Sequence, residues 1–277
     1  MKRMMKMLSA LLVAVCILVT SVSEANAVTL YGTDNIEHEE GYIIVGESHV
    51  VLTMNAYAQS IDAEGYVEGL EDVQFFFNWD DSLSVTEAGA PNTFMMSGNL
   101  FFVVEGNLVA EGEKQKNKSY IYSDGQGNHG AGVEKIHEIM EQNPNIKHWN
   151  IISFQGAVSA LEGNVAGKYY VNSYRNWIDY EFPKADLYIV SHATMTKFYR
   201  QSKVAKDFDK ELKKAFPERF LDYTAFFKER YPDQMLDPDQ KPDSIHWNND
   251  TYKALFDDII TKIQSGEYDC NKEAKGE

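Results

Sequence analysis

Tyr42-Ile43-Ile44-Val45 is a continuous apolar run that ends at Gly46, the pattern of a strand buried on both faces of a sheet. Three comparable runs follow at wide intervals, at residues 119–122, 149–153 and 187–191. Between and after them the period changes. Val133, Ile136, Ile139 and Met140 recur at spacings of three and four, which predicts an amphipathic helix. Further helices are predicted over residues 170–180, 204–216 and 251–263. Strands that alternate with helices need crossover connections, so the predicted fold is α/β: a three-layer sandwich with a mostly parallel central sheet flanked by helices. Residues 66–113 break this alternation. Phe75-Phe76-Phe77, Trp79, Met95-Met96 and Phe101-Phe102 stand there among Gly, Asp and Asn turn residues. That segment reads partly as strands or as an irregular insertion near the first strand, its aromatics serving either as core or as a substrate shelf.

The start of the chain has a different pattern. Lys2, Arg3 and Lys6 precede an almost wholly apolar stretch, residues 7–22, and Ala25-Asn26-Ala27 is a small-x-small cleavage site. Residues 1–27 therefore read as a secretory signal peptide whose apolar run is too short to span a bilayer, with the mature chain beginning near Val28 in an extracytoplasmic compartment. No stable membrane insertion is expected after cleavage. Residues 28–268 read as a single domain, because no repeat, linker or low-complexity run interrupts them, and residues 269–277 read as a polar tail. Cleavage removes three cations and one anion, which moves the formal charge from −16 to −18. A surface that acidic repels nucleic acid and anionic membrane, so neither is expected as a partner. Of the two cysteines only Cys270 remains after cleavage, so the domain has no internal disulfide and depends on its core.

Two short segments could carry chemistry. Gly46-Glu47-Ser48-His49 follows the first predicted strand, and Val50, Val51, Leu52 and Met54 suggest a helix just beyond it. A serine at such a turn projects its hydroxyl from the carboxyl edge of the sheet, where open α/β folds bind ligands, and its own N–H at a helix start can face a developing oxyanion. An N-cap serine explains the same placement without catalysis. Near the other end, Asp243-Ser244-Ile245-His246-Trp247 precedes the last predicted helix. A hydroxyl needs an imidazole to take its proton, and a carboxylate can fix that imidazole's tautomer.

The two segments, in this order, resemble the first and last sequence blocks of SGNH/GDSL hydrolases, in their bacterial exported subgroup. Residues 151–153 and 185–191 are also similar to that subgroup's third and fourth core strands, so the resemblance spans most of residues 41–263. It implies an SGNH/flavodoxin-like sheet, Ser48 as nucleophile, His246 as general base and then acid, and Asp243 as the group that orients His246. It also implies an oxyanion hole completed by a backbone glycine and an asparagine. Gly130 in the glycine-rich stretch 125–132 is the favoured glycine, with Gly127 and Gly132 as alternatives. The third block departs from the family: Gly156-Ala157-Val158-Ser159 has valine where asparagine is expected, and the first block has Glu47 in place of aspartate. Asn128 or Asn164 could supply the missing amide. Trp247, beside the base, is the aromatic expected at a substrate mouth.

The remaining histidines have plain readings. His49 follows the serine, and His137 lies on a helix surface near Glu134 and Glu138. Neither His38-Glu39-Glu40 nor Asp237-Pro238-Asp239 has metal-ligand spacing, so neither a metal nor another cofactor is expected. The expected function is a secreted serine esterase acting on small-molecule or carbohydrate-borne acyl esters. The alternative is a catalytically weakened protein of the same fold that serves as a glycan-binding or envelope-associated module.

Overall fold

The computed structural model describes residues 38–62, 66–74, 93–94, 98–104, 121–154, 167–192, 203–235 and 246–270. Its elements in chain order are β1 (Glu40–Gly46), α1 (Ser48–Ala58), β2 (Thr93–Phe94), β3 (Leu100–Val104), α2 (Ala131–Gln142) and β4 (His148–Phe154). These are followed by α3 (Gly167–Asn176), which runs into a π turn at Trp177–Glu181, and then β5 (Asp186–Val190), α4 (Lys203–Ala215), β6 (Phe220–Leu221), α5 (Thr224–Arg230) and α6 (Asn249–Gln264).

The strands form one sheet in the order β2-β3-β1-β4-β5-β6, parallel throughout except for the short edge strand β2. The unbroken apolar run of β1 suits its central place: Ile43, Ile44 and Val45 are fully buried between β3 and β4. Successive side chains of a strand face opposite ways. In β4 the Ser153 hydroxyl meets the Tyr174 hydroxyl of α3 at 2.6 Å, while the next residue, Phe154, packs edge-on against Phe256 of α6. Helices therefore cover both faces, which gives the three layers. From β1 the chain first builds β3 on one side and later β4 on the other. The carboxyl ends of β1 and β4 flank the point where the winding direction reverses, the position at which sheets of this order open a crevice.

Two parts of the sheet depart from the hydrophobic pattern. Ile121 and Tyr122, the described end of the run 119–122, lie outside it. The second parallel strand is Leu100-Phe101-Phe102-Val103-Val104, every residue of which is buried, so Phe101 and Phe102 are core. Five apolar residues in a row can be buried on both faces, whereas the run 119–122 alternates with hydroxyls. Ile121 is buried in another role, its carbonyl accepting the Trp177 indole N–H at 3.0 Å. Residues 75–79 and 95–96 lie outside the described residues.

Packing also continues beyond residue 268. The Cys270 thiol donates to the Leu187 carbonyl of β5 at 3.4 Å, and burial pushes its pKa up to about 12. Among the described residues no helix is long and apolar enough to cross a membrane.

Candidate active site

Ser48 opens α1 directly after the strand-ending Gly46-Glu47 turn. Gly46 is required by close approach: a Cβ there would lie 2.2 Å from the Phe154 carbonyl oxygen of neighbouring β4. Glu47 is buried at the N-cap position but makes no side-chain cap bond. Ser48 stands in the first turn of the helix, where backbone N–H groups have no intrahelical acceptor, so its own N–H is a candidate donor to an anion beside its hydroxyl.

His246 lies 198 positions along the chain, and its Nε2 is 2.8 Å from Ser48 Oγ. The contact exists because α6, which follows His246, packs along α1, which begins at Ser48. Tyr57 of α1 donates to Asp257 Oδ1 of α6 at 3.0 Å, and Asn249 Nδ2 donates to the Gln59 side chain at 3.1 Å. Asn248 caps α6 by accepting the Thr251 N–H at 2.9 Å. The segment carrying His246 is thus tied to a helix start, whose position the helix pair determines.

Trp247 is fully buried, stacked at a tilt on Phe227 and bridged by backbone to Met235. It faces the core and not a substrate mouth. The indole next to His246 acts as an anchor, because its burial holds the residue before it in place. Its backbone N–H donates to the Tyr252 hydroxyl at 3.1 Å, and that hydroxyl lies 2.6 Å from His49 Nδ1. Tyr252 therefore links the residue after His246 to the residue after Ser48.

Burial lowers the pKa of His246, which favours the neutral imidazole a base requires. His49 is wholly buried, with its ring centroid 5.1 Å from that of His246. Burial first, then the charges of His246 and His192, depress its pKa to about 3. A neutral His49 adds no positive charge to oppose protonation of its neighbour. His192, just past the carboxyl end of β5, holds Asp209 of α4 at 2.5 Å through Nδ1. The sequence does not reveal this imidazole–carboxylate pair, since its members are 17 residues apart, one past a strand end and one on a helix.

Two expected oxyanion donors are engaged elsewhere. The Gly130 N–H donates to the Tyr122 carbonyl at 2.8 Å, closing the loop ahead of α2, and the Asn128 amide donates to Asp124 Oδ2 at 2.6 Å. A backbone N–H that closes its own loop is not available to a substrate, so the assignment of Gly130 is corrected; a glycine serves the turn here, with Gly125 and Gly127 in the left-handed region. Asp243, residues 156–159 and Asn164 lie outside the described residues. Compared with protein-family models, curated proteins and solved structures, the chain matches none.

Proposed function

We propose that the chain is an exported serine ester hydrolase of the SGNH/GDSL type, acting on acyl esters of small molecules or carbohydrates through an acyl-enzyme on Ser48. The observation that carries this reading is the 2.8 Å contact between Ser48 Oγ and His246 Nε2 at the carboxyl edge of a doubly wound sheet. A neutral imidazole, a hydroxyl and a helix-start N–H meet where such sheets take ligands.

In the first half-reaction Ser48 Oγ attacks the ester carbonyl carbon and its proton passes to His246 Nε2. The tetrahedral oxyanion forms beside the Ser48 N–H. It collapses as the imidazolium returns the proton to the departing alkoxide, leaving an acyl-enzyme and a free alcohol. Water then attacks the acyl carbon, losing its proton to the same Nε2, and the acid leaves as Ser48 recovers its proton. Asp243, three residues before His246, is the proposed partner of Nδ1.

The alternative reading, a weakened member kept for binding, draws on the engaged Gly130 N–H and Asn128 amide together with Val158 in the third block. Loss of one oxyanion donor costs about 10²–10³ in turnover.

Hydrolysis of p-nitrophenyl acetate and labelling by a fluorophosphonate separate the two. The wild type is expected to label and turn over, with Ser48→Ala and His246→Gln slower by about 10³-fold or more. Because burial lowers the pKa of His246, its active neutral form persists to lower pH. The acid limb of kcat/KM is accordingly expected below the ordinary imidazole value of about 6.5. Equal hydrolysis by all three proteins, with no labelling, would exclude the esterase and leave the binding module.

A further inference from the structure

The glycine-rich loop ahead of α2 closes on itself through a backbone bridge between Ser123 and His129, and Asp124 Oδ1 accepts the N–H groups of Gln126 and Asn128 inside it. The closed loop holds His129 beside His137, in the second turn of α2, with ring centroids 5.6 Å apart. Glu181, the last residue of the π turn that ends α3, reaches both. Its Oε2 is 2.8 Å from His137 Nε2 and 3.5 Å from His129 Nδ1. π turns are rare and occur often at functional sites; this one directs a partly buried carboxylate at two imidazoles.

A hydrogen bond accounts for the pair of His137 and Glu181 but not for the third member. His129 Nδ1 is buried and makes no hydrogen bond among the described residues. Leaving a polar atom buried without a partner is unfavourable. The other carboxylate oxygen is held from behind: Ser123 Oγ donates to Glu181 Oε1 at 2.6 Å, and the Asn176 amide donates to the Ser123 carbonyl at 2.6 Å. Supporting hydrogen bonds of this kind orient metal ligands.

We propose that His129 Nδ1, His137 Nε2 and Glu181 Oε2 bind one divalent cation of the zinc class, with water in the remaining position. The three donor atoms lie within 4.8 Å of one another. Zinc bonds of about 2.0–2.2 Å place tetrahedral donors about 3.3 Å apart, so small side-chain adjustments close the site. Two imidazoles among three donors favour Zn²⁺ or Co²⁺ over the oxygen-seeking Mg²⁺ and Ca²⁺. His129 and His137 line a groove together with Glu134, Lys135, Glu138 and Glu141; Lys135 pairs with Glu138, and the remaining carboxylates leave the groove net negative, which attracts cations. Bound there, the cation ties together the loop, α2 and the end of α3. None of these carries Ser48 or His246.

The test titrates the full chain, purified without a polyhistidine tag and stripped by a chelator, with Co²⁺ and then Zn²⁺. One equivalent of Co²⁺ is expected to give the intense visible absorption of a tetrahedral site, Zn²⁺ to abolish that absorption by displacement, and Zn²⁺ alone to raise Tm. His137→Gln and His129→Asn should each weaken Zn²⁺ binding at least about 100-fold, and the supporting variant Ser123→Ala about tenfold, whereas Ser48→Ala should leave it unchanged. Should the ligand variants fail to fold, Ser123→Ala decides, and unchanged affinity in it overturns the site. Absence of both the Co²⁺ spectrum and the Zn²⁺-dependent rise in Tm in the wild type also overturns it.

Discussion

At Gly46 the backbone leaves no room for a side chain. A Cβ would meet the Phe154 carbonyl oxygen at 2.2 Å and Val50 Cγ2 at 2.8 Å, and the first of these is backbone that cannot rotate aside. The tight turn that delivers Ser48 therefore depends on β1 and β4 approaching one another at this residue. Gly46→Ala is expected to destabilise the protein by about 1–3 kcal/mol through overpacking. It should also displace Ser48 from His246, so ester turnover falls more than the unfolded fraction explains. Urea midpoints together with kcat of the folded protein check this, and a variant with wild-type turnover would show that the turn does not set the serine. Residue by residue, Ser48 and His246 were legible because each stands beside an unmistakable boundary, a strand end and a helix start. Trp247 was misjudged for a physical reason. Sequence shows that an aromatic adjoins His246 but not which way it faces, and here it faces Phe227 in the core. His129, His137 and Glu181 carried no regular spacing to read, since their convergence depends on a π turn.

The helices were the most legible elements, and the reason is length. Ala131–Gln142, Lys203–Ala215 and Asn249–Gln264 each run for three or more turns, enough for a 3.6-residue period to stand out. Thr224–Arg230 and Phe220–Leu221 are too short to carry a period, and β3 was hidden among aromatics that fit several roles. The pairing of α1 with α6 makes two distant helix starts into one site, and Tyr252 is its central polar contact. Its hydroxyl takes the Trp247 N–H and lies 2.6 Å from His49 Nδ1, so Tyr252→Phe strands two buried polar groups at once. A loss of about 1–3 kcal/mol per stranded group is expected. Because the segment holding His246 loses its tie, kcat should fall about tenfold or more while KM changes little. Equal losses in stability with unchanged kcat would reduce Tyr252 to a packing residue.

At the scale of the whole molecule the strand order determines which distant residues can meet. A parallel sheet wound in both directions from β1 returns its last helix to the first, and that return was implied by alternation alone; the second strand's identity was not. The same architecture buries imidazoles, and this makes the fold sensitive to acid. His49 is neutral when folded, with a pKa of about 3 against 6.5 for the ordinary group, and His246 is shifted in the same direction by burial. As pH falls below 6.5 the unfolded chain binds a proton at His49 and the folded chain does not, while His246 lags in the same direction. Unfolding is therefore favoured by acid, and stability rises with pH across the window between the two values. Each group contributes at most about 1.4 kcal/mol per pH unit there. Above about pH 5 most carboxylates are ionised in both states and contribute little to the slope, so a comparison between roughly pH 6.5 and 5 isolates the histidines. His49→Gln keeps an acceptor for the Tyr252 hydroxyl but cannot titrate. Its urea midpoint is expected to fall less steeply than that of the wild type over this window, and His246→Gln should flatten the slope by a smaller amount. Parallel slopes for wild type and His49→Gln would mean that the imidazole is protonated within the fold. The reading of His49 as a permanently neutral neighbour of His246 would then fail.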